Sequence, residues 1–223
     1  MTYTLAIGDR TYSSWSLRGW LLFAKFDIPV TVKTARMYTP EFFDLLKDFG
    51  GGKTVPAMRN GDIVVSDTLA IAETLADDHP AMWPADPVAR GFARSIVAEM
   101  HSGFVPLRSA CTMNLRVRFN GFEPSADVLK NTTRIDQIWT EARTRFGASG
   151  PWLFGDYSIA DVFYAPVATR FYTYDLPRSD LAEAYIQTTI TDPMFIEWRD
   201  AGLAENFIQP GYDLDLPMVP WGT

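Results

Sequence analysis

The sequence predicts an α/β N-terminal domain with the element order β-α-β-α-β-β-α, followed by an all-α C-terminal helical domain. In the first 80 residues, short apolar or alternating runs typical of strands alternate with segments of helical periodicity. Strand patterns almost vanish after a proline-containing stretch at residues 81–86. We therefore predict one domain at residues 1–80, a linker at 81–86, and a helical domain with a C-terminal tail at 87–223.

The first four elements are two strands and two helices. Residues 4–7 form an apolar run that ends at a glycine, and residues 30–34 alternate with period two, so both are predicted strands. Residues 15–26 carry a wide apolar stripe at helical spacing. Residues 39–47 begin with threonine, proline and glutamate, which are a capping hydroxyl, a first-turn proline and an acidic residue, and they predict a second helix.

A hairpin and a third helix complete the N-terminal domain. An Asn-Gly pair at residues 60–61 separates strand patterns at residues 55–59 and 62–65. This pair predicts a tight turn in which both central residues have positive φ. A Ser-Asp pair at residues 66–67 then offers an N-cap for a helix that ends near Asp78.

The second half of the chain is predicted to be a helical bundle. Residues 158–161 read Ser-Ile-Ala-Asp, which is a capping box, and residues 192–193 pair an aspartate cap with a first-turn proline. Residues 206–223 contain three prolines and three aromatic residues, which predicts an extended tail packed on the body. Helical spacing occurs at residues 88–107, 125–146, 158–174 and 192–205.

The composition indicates a globular protein and argues against nucleic acid as a partner. The chain has 223 residues, of which 47% are hydrophobic and 14% aromatic, enough for a sizeable core. Its net charge of −7 opposes binding to nucleic acid or to an anionic membrane. The single cysteine, Cys111, forbids an intrachain disulfide, and His79 and His101 are too few for a Cys/His metal site. With no long apolar segment, we expect a soluble cytoplasmic protein without a metal.

Three motifs, taken in order along the chain, resemble one family. Residues 12–18 read Tyr-Ser-Ser-Trp-Ser-Leu-Arg, residues 99–108 begin Glu-Met-His-Ser-Gly-Phe and end Leu-Arg, and residues 159–171 contain Ile-Ala-Asp, Ala-Pro-Val and Arg-Phe. Together they resemble the cytosolic glutathione S-transferase family, in particular a bacterial, zeta-like, serine-type subgroup with an S-S-W-S-L-R motif. The resemblance spans essentially the whole chain. It implies a thioredoxin-like N-terminal domain, a homodimer, and glutathione as the co-substrate that is conjugated to a small electrophile or drives an isomerisation.

Three serines at the start of the first predicted helix are candidate catalytic residues. A free thiol has a pKa of about 8.5, and lowering it by two units takes about 2.7 kcal/mol of preferential interaction with the thiolate. A hydroxyl donor and the N–H groups of a helix N-terminus can supply this interaction. The resemblance favours Ser13 as the hydroxyl that faces the sulfur, with Ser14 and Ser16 as substitutes. The alternative is that all three are ordinary cap and turn serines.

The resemblance also implies a glutathione-binding set. Val55 and Pro56 stand where the family has a cis-proline, whose preceding residue offers its backbone groups to the cysteinyl part of glutathione. Asp67 and Thr68 stand where the family has Glu or Gln followed by Ser, which hold the ammonium and the γ-glutamyl carboxylate. The alternative for both is an ordinary helix cap. Lys53 would face the glycyl carboxylate, or would simply be solvated.

Tyr12, Trp15, His101 and Arg108 are candidates for the second-substrate site. His101 and Arg108 are two helical turns apart, which predicts that they share one face of a long helix. Arg108 would suit a carboxylate-bearing substrate. Trp221 is a further aromatic candidate for lining this pocket. The alternatives are a salt bridge for Arg108, a structural role for His101, and core packing for the three aromatic side chains.

Four further features have a predicted role or depart from the family pattern. Cys111 is predicted to pack in the core, the alternative being a thiol that forms mixed disulfides with glutathione. Asp161 is predicted to be a structural part of the capping box. Gly19 and the Gly50–Gly52 loop both differ from the residues common in the family at these positions.

A competing hypothesis is a catalytically weak protein of the same fold that binds a protein partner, as a stress or cell-division factor would. Fold does not fix function, and the departures from the family pattern are compatible with a weakened site. The tail segment at residues 212–223 would then be a contact surface. Its deletion would abolish partner binding, whereas an enzyme would keep its turnover.

Overall fold

A four-stranded mixed sheet forms the centre of the N-terminal half in the computed structural model, which describes residues 2–206 and 208–222. The strand order is β2-β1-β3-β4, with β1 parallel to β2 and antiparallel to β3. The predicted order β-α-β-α-β-β-α is confirmed. The elements are β1 Tyr3–Ile7, α1 Ser14–Ala24, β2 Val30–Thr34, α2 Pro40–Lys47, β3 Ala57–Asn60, β4 Ile63–Ser66 and α3 Thr68–Asp78.

The hairpin between β3 and β4 differs from the prediction by one residue. Asn60 still pairs with Ile63 in the ladder, so the two turn residues are Gly61 and Asp62. Gly61 has a φ of 59°, whereas Asp62 does not have a positive φ. The prediction of positive φ at both Asn60 and Gly61 is therefore wrong. The strand pairing extends through Asn60 and places the glycine at the first central position of the turn.

The described part of the second half is mainly helical, as predicted, but it differs in two ways from the four helices that the sequence predicts. The predicted helix at 88–107 is divided, because Phe104 takes a left-handed φ of 58° between α4 and α5. Helix α8 was not predicted. The helices are α4 Pro87–Ser102, α5 Val105–Ala110, α6 Ala126–Phe146, α7 Ile159–Tyr174, α8 Asp180–Ile190 and α9 Pro193–Ala204.

Helix α7 is the central helix of this half, and all but one of its residues are buried. The predicted capping box is present: the Asp161 carboxylate accepts hydrogen bonds from the N–H and the hydroxyl of Ser158. It also accepts from the Leu153 N–H at 3.0 Å and the Tyr185 hydroxyl at 3.1 Å. Asp161 is therefore structural, as predicted. One buried hydrophobic cluster joins α7 and α4 to α1, α3 and β1, so the two halves share a core.

The C-terminal tail packs on the body of the protein. Its strand β6, Met218–Pro220, pairs antiparallel with β5, Val117–Phe119, and these two short strands were not predicted. The Trp221 ring lies 5.0 Å from that of Tyr172 and is 4% exposed. Phe207 and Thr223 of the predicted tail, and Met1, lie outside the described residues.

Helix α9 packs against the loop between β1 and α1. The Trp198 Nε1–H donates to the Arg10 carbonyl at 2.9 Å, and Glu205 Oε1 accepts from Arg10 Nη1 at 2.6 Å. A β-carbon built on Gly202 would lie 2.9 Å from side-chain atoms of both Arg10 and Thr11, so only glycine allows this approach. The loop that precedes α1 is thus held by residues from the far end of the chain.

The described residues contain neither a membrane-spanning helix nor a metal-binding cluster. None of the helices in residues 2–206 and 208–222 has both the length and the apolar character needed to cross a bilayer. Over the same ranges, no three His, Cys, Asp or Glu side chains come together as a group able to hold a metal ion.

Candidate active site

The serine cluster forms the N-terminal cap of α1. Ser13 is the N-cap residue, and its Oγ accepts a hydrogen bond from the Ser16 N–H at 3.2 Å. The Ser13 hydroxyl donates to Ser16 Oγ at 2.8 Å, and Ser16 Oγ accepts from the Gly8 N–H at 2.9 Å. Ser16 is fully buried behind Ser13. This corrects its place among the candidate catalytic residues, because its hydroxyl supports the loop and does not face the cavity.

A cavity of about 420 Å³ opens in front of the N-terminus of α1. It lies between the two halves of the chain and is lined by the β1–α1 loop, the segment before β3, and helices α5 and α7. Arg170, Thr112 and Tyr212 also line it, and the predicted site did not include them. The predicted residues that it brings together are Tyr12, Ser13, Ser14, Trp15, Lys53, Val55 and Arg108.

The segment before β3 presents Val55 to this cavity. The Val55–Pro56 peptide bond is cis, as predicted. Within the described residues, the N–H and C=O of Val55 have no hydrogen-bond partner. Pro56 does not line the cavity. It packs instead beneath Gly19 of α1, where a β-carbon on residue 19 would lie 2.6 Å from Pro56 Cβ. The close contact with Pro56 therefore gives a steric reason why residue 19 is glycine and not the residue common in the family at this position.

Asp67 and Thr68 lie at the N-terminus of α3, outside the cavity lining. Asp67 has a φ of 89°, a strained value for a residue other than glycine. Its Oδ1 accepts from the N–H groups of Leu69 and Ala70, so it is the helix cap, and its Oδ2 lies 3.2 Å from His101 Nε2. Thr68 is fully buried, and its Oγ1 has no partner within residues 2–206 and 208–222. A buried hydroxyl without a partner is uncommon, and a ligand would satisfy it.

Trp15 connects this region to the cavity. The guanidinium carbons of Arg18 and Arg108 lie 4.7 Å and 5.0 Å from its ring centroid, and the His101 ring meets it edge-on at 5.4 Å. The prediction that His101 and Arg108 share one helix is wrong, because α4 ends at Ser102 and Arg108 lies on α5. They still meet: Arg108 Nη1 donates to the His101 carbonyl at 3.4 Å. His101 itself does not line the cavity.

The cavity is positively charged. Lys53, Arg108 and Arg170 line it, and none of the described residues in its lining carries a carboxylate. Burial and the neighbouring Arg108 lower the pKa of Arg170 to about 10, and burial lowers that of Arg18 to about 9. Neither buried arginine pairs with a carboxylate in the described part of the chain. Because an unpaired buried charge costs several kcal/mol, the site is suited to an anionic ligand.

Two further predicted residues are placed in the core. Cys111 is fully buried, and burial raises the pKa of its thiol to about 12, so it stays protonated. This supports the predicted packing role over mixed-disulfide chemistry. Trp221 does not line the cavity, and its packing on Tyr172 favours the core alternative. Among the polar cavity residues that the predicted site did not include, Arg170 is the one that belongs to a motif, the third.

Comparison with known proteins gives the family. The model of the glutathione S-transferase N-terminal domain matches residues 12–78, and that of the C-terminal domain matches residues 126–201, together well over half of the chain. The chain belongs to the glutathione S-transferase family. This assignment confirms the predicted family and, with it, a glutathione transferase or glutathione-dependent isomerase.

Three individual proteins that resemble this chain are 19–25% identical to it in sequence. A "Probable maleylacetoacetate isomerase" from Caenorhabditis elegans is 25% identical over 193 residues, which cover 84% of this chain and 88% of that protein. A glutathione transferase homolog from Burkholderia GL BGR1, solved with bound glutathione, has a TM-score of 0.67 at 19% identity, covering 92% of this chain and all of that one. Glutathione transferase Omega 3C from Trametes versicolor has a TM-score of 0.65 at 19% identity, covering 88% of each chain. These structures share the fold.

Proposed function

We propose that this member of the family uses a serine hydroxyl at the N-terminus of α1 to hold glutathione as a thiolate, which then reacts with an acidic electrophile. The observation that carries the proposal is the cavity itself. It combines the Ser13 and Ser14 hydroxyls, the free backbone groups of Val55, and the cations Lys53 and Arg108. The helix N-terminus adds partial positive charge where the sulfur would lie.

The glutathione site extends from the cavity to α3. The Thr68 hydroxyl and the N–H groups at the start of α3 would hold the γ-glutamyl carboxylate, and the unpartnered Thr68 Oγ1 supports this role. Asp67, although it caps α3, would pair with the ammonium. The Val55 N–H and C=O would bind the cysteinyl part, with Pro56 fixing their position against α1, and Lys53 would face the glycyl carboxylate.

Both proposed reactions, glutathione transfer and glutathione-dependent isomerisation, begin with the glutathione thiolate bound in the cavity. The glutathione thiol loses its proton to water, and the serine hydroxyl donates a hydrogen bond to the resulting anion. In a transfer, the sulfur forms a bond to an electrophilic carbon as the bond from that carbon to the leaving group breaks. In an isomerisation, the sulfur adds to an activated double bond, the resulting single bond rotates, and elimination restores both the double bond and the thiolate.

An acidic second substrate follows from the charge of the cavity. Three cations line it without a carboxylate, and Arg108 would orient the substrate carboxylate between the aromatic walls of Tyr12 and Trp15. His101 would act indirectly, through Trp15 and Asp67. The name of the Caenorhabditis elegans relative supports isomerisation of an acidic substrate as the first reaction to test. A homodimer and a cytoplasmic location remain predictions.

The deciding experiment is isothermal titration of glutathione into the purified protein. We expect a dissociation constant below about 1 mM. Thr68→Ala should weaken binding about tenfold or more, because it removes a hydrogen bond to a charged group. The control is Thr74→Ala on the same helix. The Thr74 hydroxyl donates to the Ala70 carbonyl, so its removal should leave glutathione binding unchanged. Absence of measurable binding to the wild type would overturn the proposed function.

A further inference from the structure

The two serines that face the cavity use their hydroxyl protons differently. Ser13 donates its proton to Ser16 Oγ at 2.8 Å while its oxygen accepts the Ser16 N–H. To donate to a sulfur, Ser13 would have to leave Ser16, and the hydrogen-bonded pair would have to reverse its direction. The capping network therefore competes with Ser13 as a donor.

Ser14 has no such competition. Its Oγ accepts a hydrogen bond from Arg170 Nη2 at 3.4 Å, and its own O–H has no acceptor in the described part of the chain. Because the guanidinium occupies one lone pair of the oxygen, the hydroxyl proton is directed away from Arg170. Ser14 lines the cavity at the first position of α1.

Arg170 is itself held in place by the protein backbone. Its Nε donates to the Cys111 carbonyl at 2.7 Å and its Nη1 to the Pro166 carbonyl at 2.8 Å. It is buried, and no carboxylate within the described ranges neutralises its charge. The third branch of the guanidinium thus presents a fixed positive charge to Ser14 and the cavity.

We infer that Ser14 is the hydroxyl that donates to the glutathione sulfur and that Arg170 is the positioning residue that orients it. This inference rests on the proposed function and reassigns Ser13 to the helix cap. The thiol proton leaves to water, and Ser14 keeps its own proton while sharing it with the thiolate. Donation from Arg170 also polarises the Ser14 O–H, since hydrogen bonds in a chain strengthen one another.

The test is the pKa of the bound glutathione thiol, measured from thiolate absorbance over a pH series on full-length variants. Ser14→Ala should raise this pKa by about one unit, which is a tenfold decrease in the acid dissociation constant of the bound thiol. Ser13→Ala should raise it less and lower the melting temperature more. Arg170→Lys should raise the thiol pKa in the wild type but add nothing in the Ser14→Ala background, because it acts through Ser14.

Matched controls lie outside the site. Ser102→Ala removes a hydroxyl that donates to the Ala98 carbonyl, and Arg143→Lys changes an arginine that likewise donates to backbone carbonyls. Neither should change the thiol pKa. If the wild type lowers the thiol pKa and Ser13→Ala alone raises it, the inference fails while the proposed function stands. Equal effects of Arg170→Lys in both backgrounds would overturn the positioning role. Should Arg170→Lys not fold, the two serine variants still decide the donor.

Discussion

Gly19 of α1 lies directly against the ring of Pro56, at a distance that leaves no room for a side chain. A β-carbon on residue 19 would stand 2.6 Å from Pro56 Cβ and 2.7 Å from Pro56 Cγ. Atoms do not approach this closely without displacement, so either α1 or the segment that carries Val55 would have to move. The glycine thus lets the serine-bearing helix and the Val55 backbone approach the same cavity.

Gly19→Ala should therefore destabilise the protein. Alanine would gain up to about 1 kcal/mol of helix propensity, but overpacking costs about 1–3 kcal/mol, so we expect a net loss and weaker glutathione binding. Gly91→Ala is the matched control, because Gly91 also lies within a helix and a β-carbon there meets no atom within 4 Å. That variant should be more stable than the wild type. Denaturant unfolding compares the two, and equal responses would contradict the steric explanation.

Asp9 should make stability fall as pH rises. It is buried, accepts from the Met37 N–H, and burial raises its pKa to about 6. The folded state therefore binds the proton of Asp9 more tightly than the unfolded state, so the contribution of Asp9 to stability decreases between about pH 4 and pH 6. Asp9→Asn removes this pH dependence. The free energy of unfolding of the variant should therefore rise by up to about 3 kcal/mol relative to that of the wild type between pH 4 and pH 6. Denaturant unfolding curves of both proteins at about pH 4 and about pH 6 measure this difference. Exposed Asp62→Asn is the control, and a pH-independent difference for Asp9→Asn would refute the prediction.

Arg108 should govern selectivity for acidic substrates. Its guanidinium lies over Trp15 in the cavity and forms no ion pair in residues 2–206 and 208–222. Arg108→Gln should lower kcat/KM for a carboxylate-bearing electrophile by about tenfold or more, and much less for a neutral one. Arg94→Gln, on the exposed face of α4, is the control for lost positive charge. Equal losses on both substrates would show that Arg108 serves the helix ends and not the substrate.

The tail should contribute to stability through Trp221. Truncating a buried tryptophan costs about 3–5 kcal/mol, so Trp221→Ala should unfold well before the wild type on heating. Met218→Ala in the same tail is the control, because Met218 is half exposed. A wild-type melting temperature for Trp221→Ala would contradict this packing role.

The structure also changes how a tail deletion should be interpreted. Tyr212 of the tail lines the cavity, and its ring meets that of Tyr12 at 5.2 Å. Deleting residues 212–223 would therefore remove a wall of the site along with the proposed contact surface. Loss of turnover in such a deletion would no longer separate an enzyme from a partner-binding protein, so point variants are the better test.

Local signals predicted most of the fold. The capping threonine and proline at residues 39–40 and the aspartate at residue 67 each mark the helix start that the structure has. Helix α8 was missed because two of its four buried residues are Ala182 and Thr189, which give a weak apolar stripe. The pairing of β5 with β6 was missed because each strand has three residues and its partner lies about a hundred positions away.

The site was only partly accessible to sequence reasoning. Motif positions, interpreted through the family resemblance, named Ser13, Val55 and Arg108 as site residues, and all three line the cavity. The motif positions did not reveal that Arg18 and Arg170 are buried without carboxylate partners, since sequence patterns treat arginine as a surface residue. Which serine has a free proton depends on hydrogen bonds that only the folded loop creates.

The packing of α9 on the β1–α1 loop makes the position of this loop depend on residues that are remote in the sequence. Arg10, which precedes the serine cluster, is held by Trp198 and Glu205, and these two partners lie 188 and 195 positions away. Contacts of such long range form only when both parts of the chain have folded together. A fragment that ends before Trp198 would carry all three candidate serines after a loop that lacks both contacts.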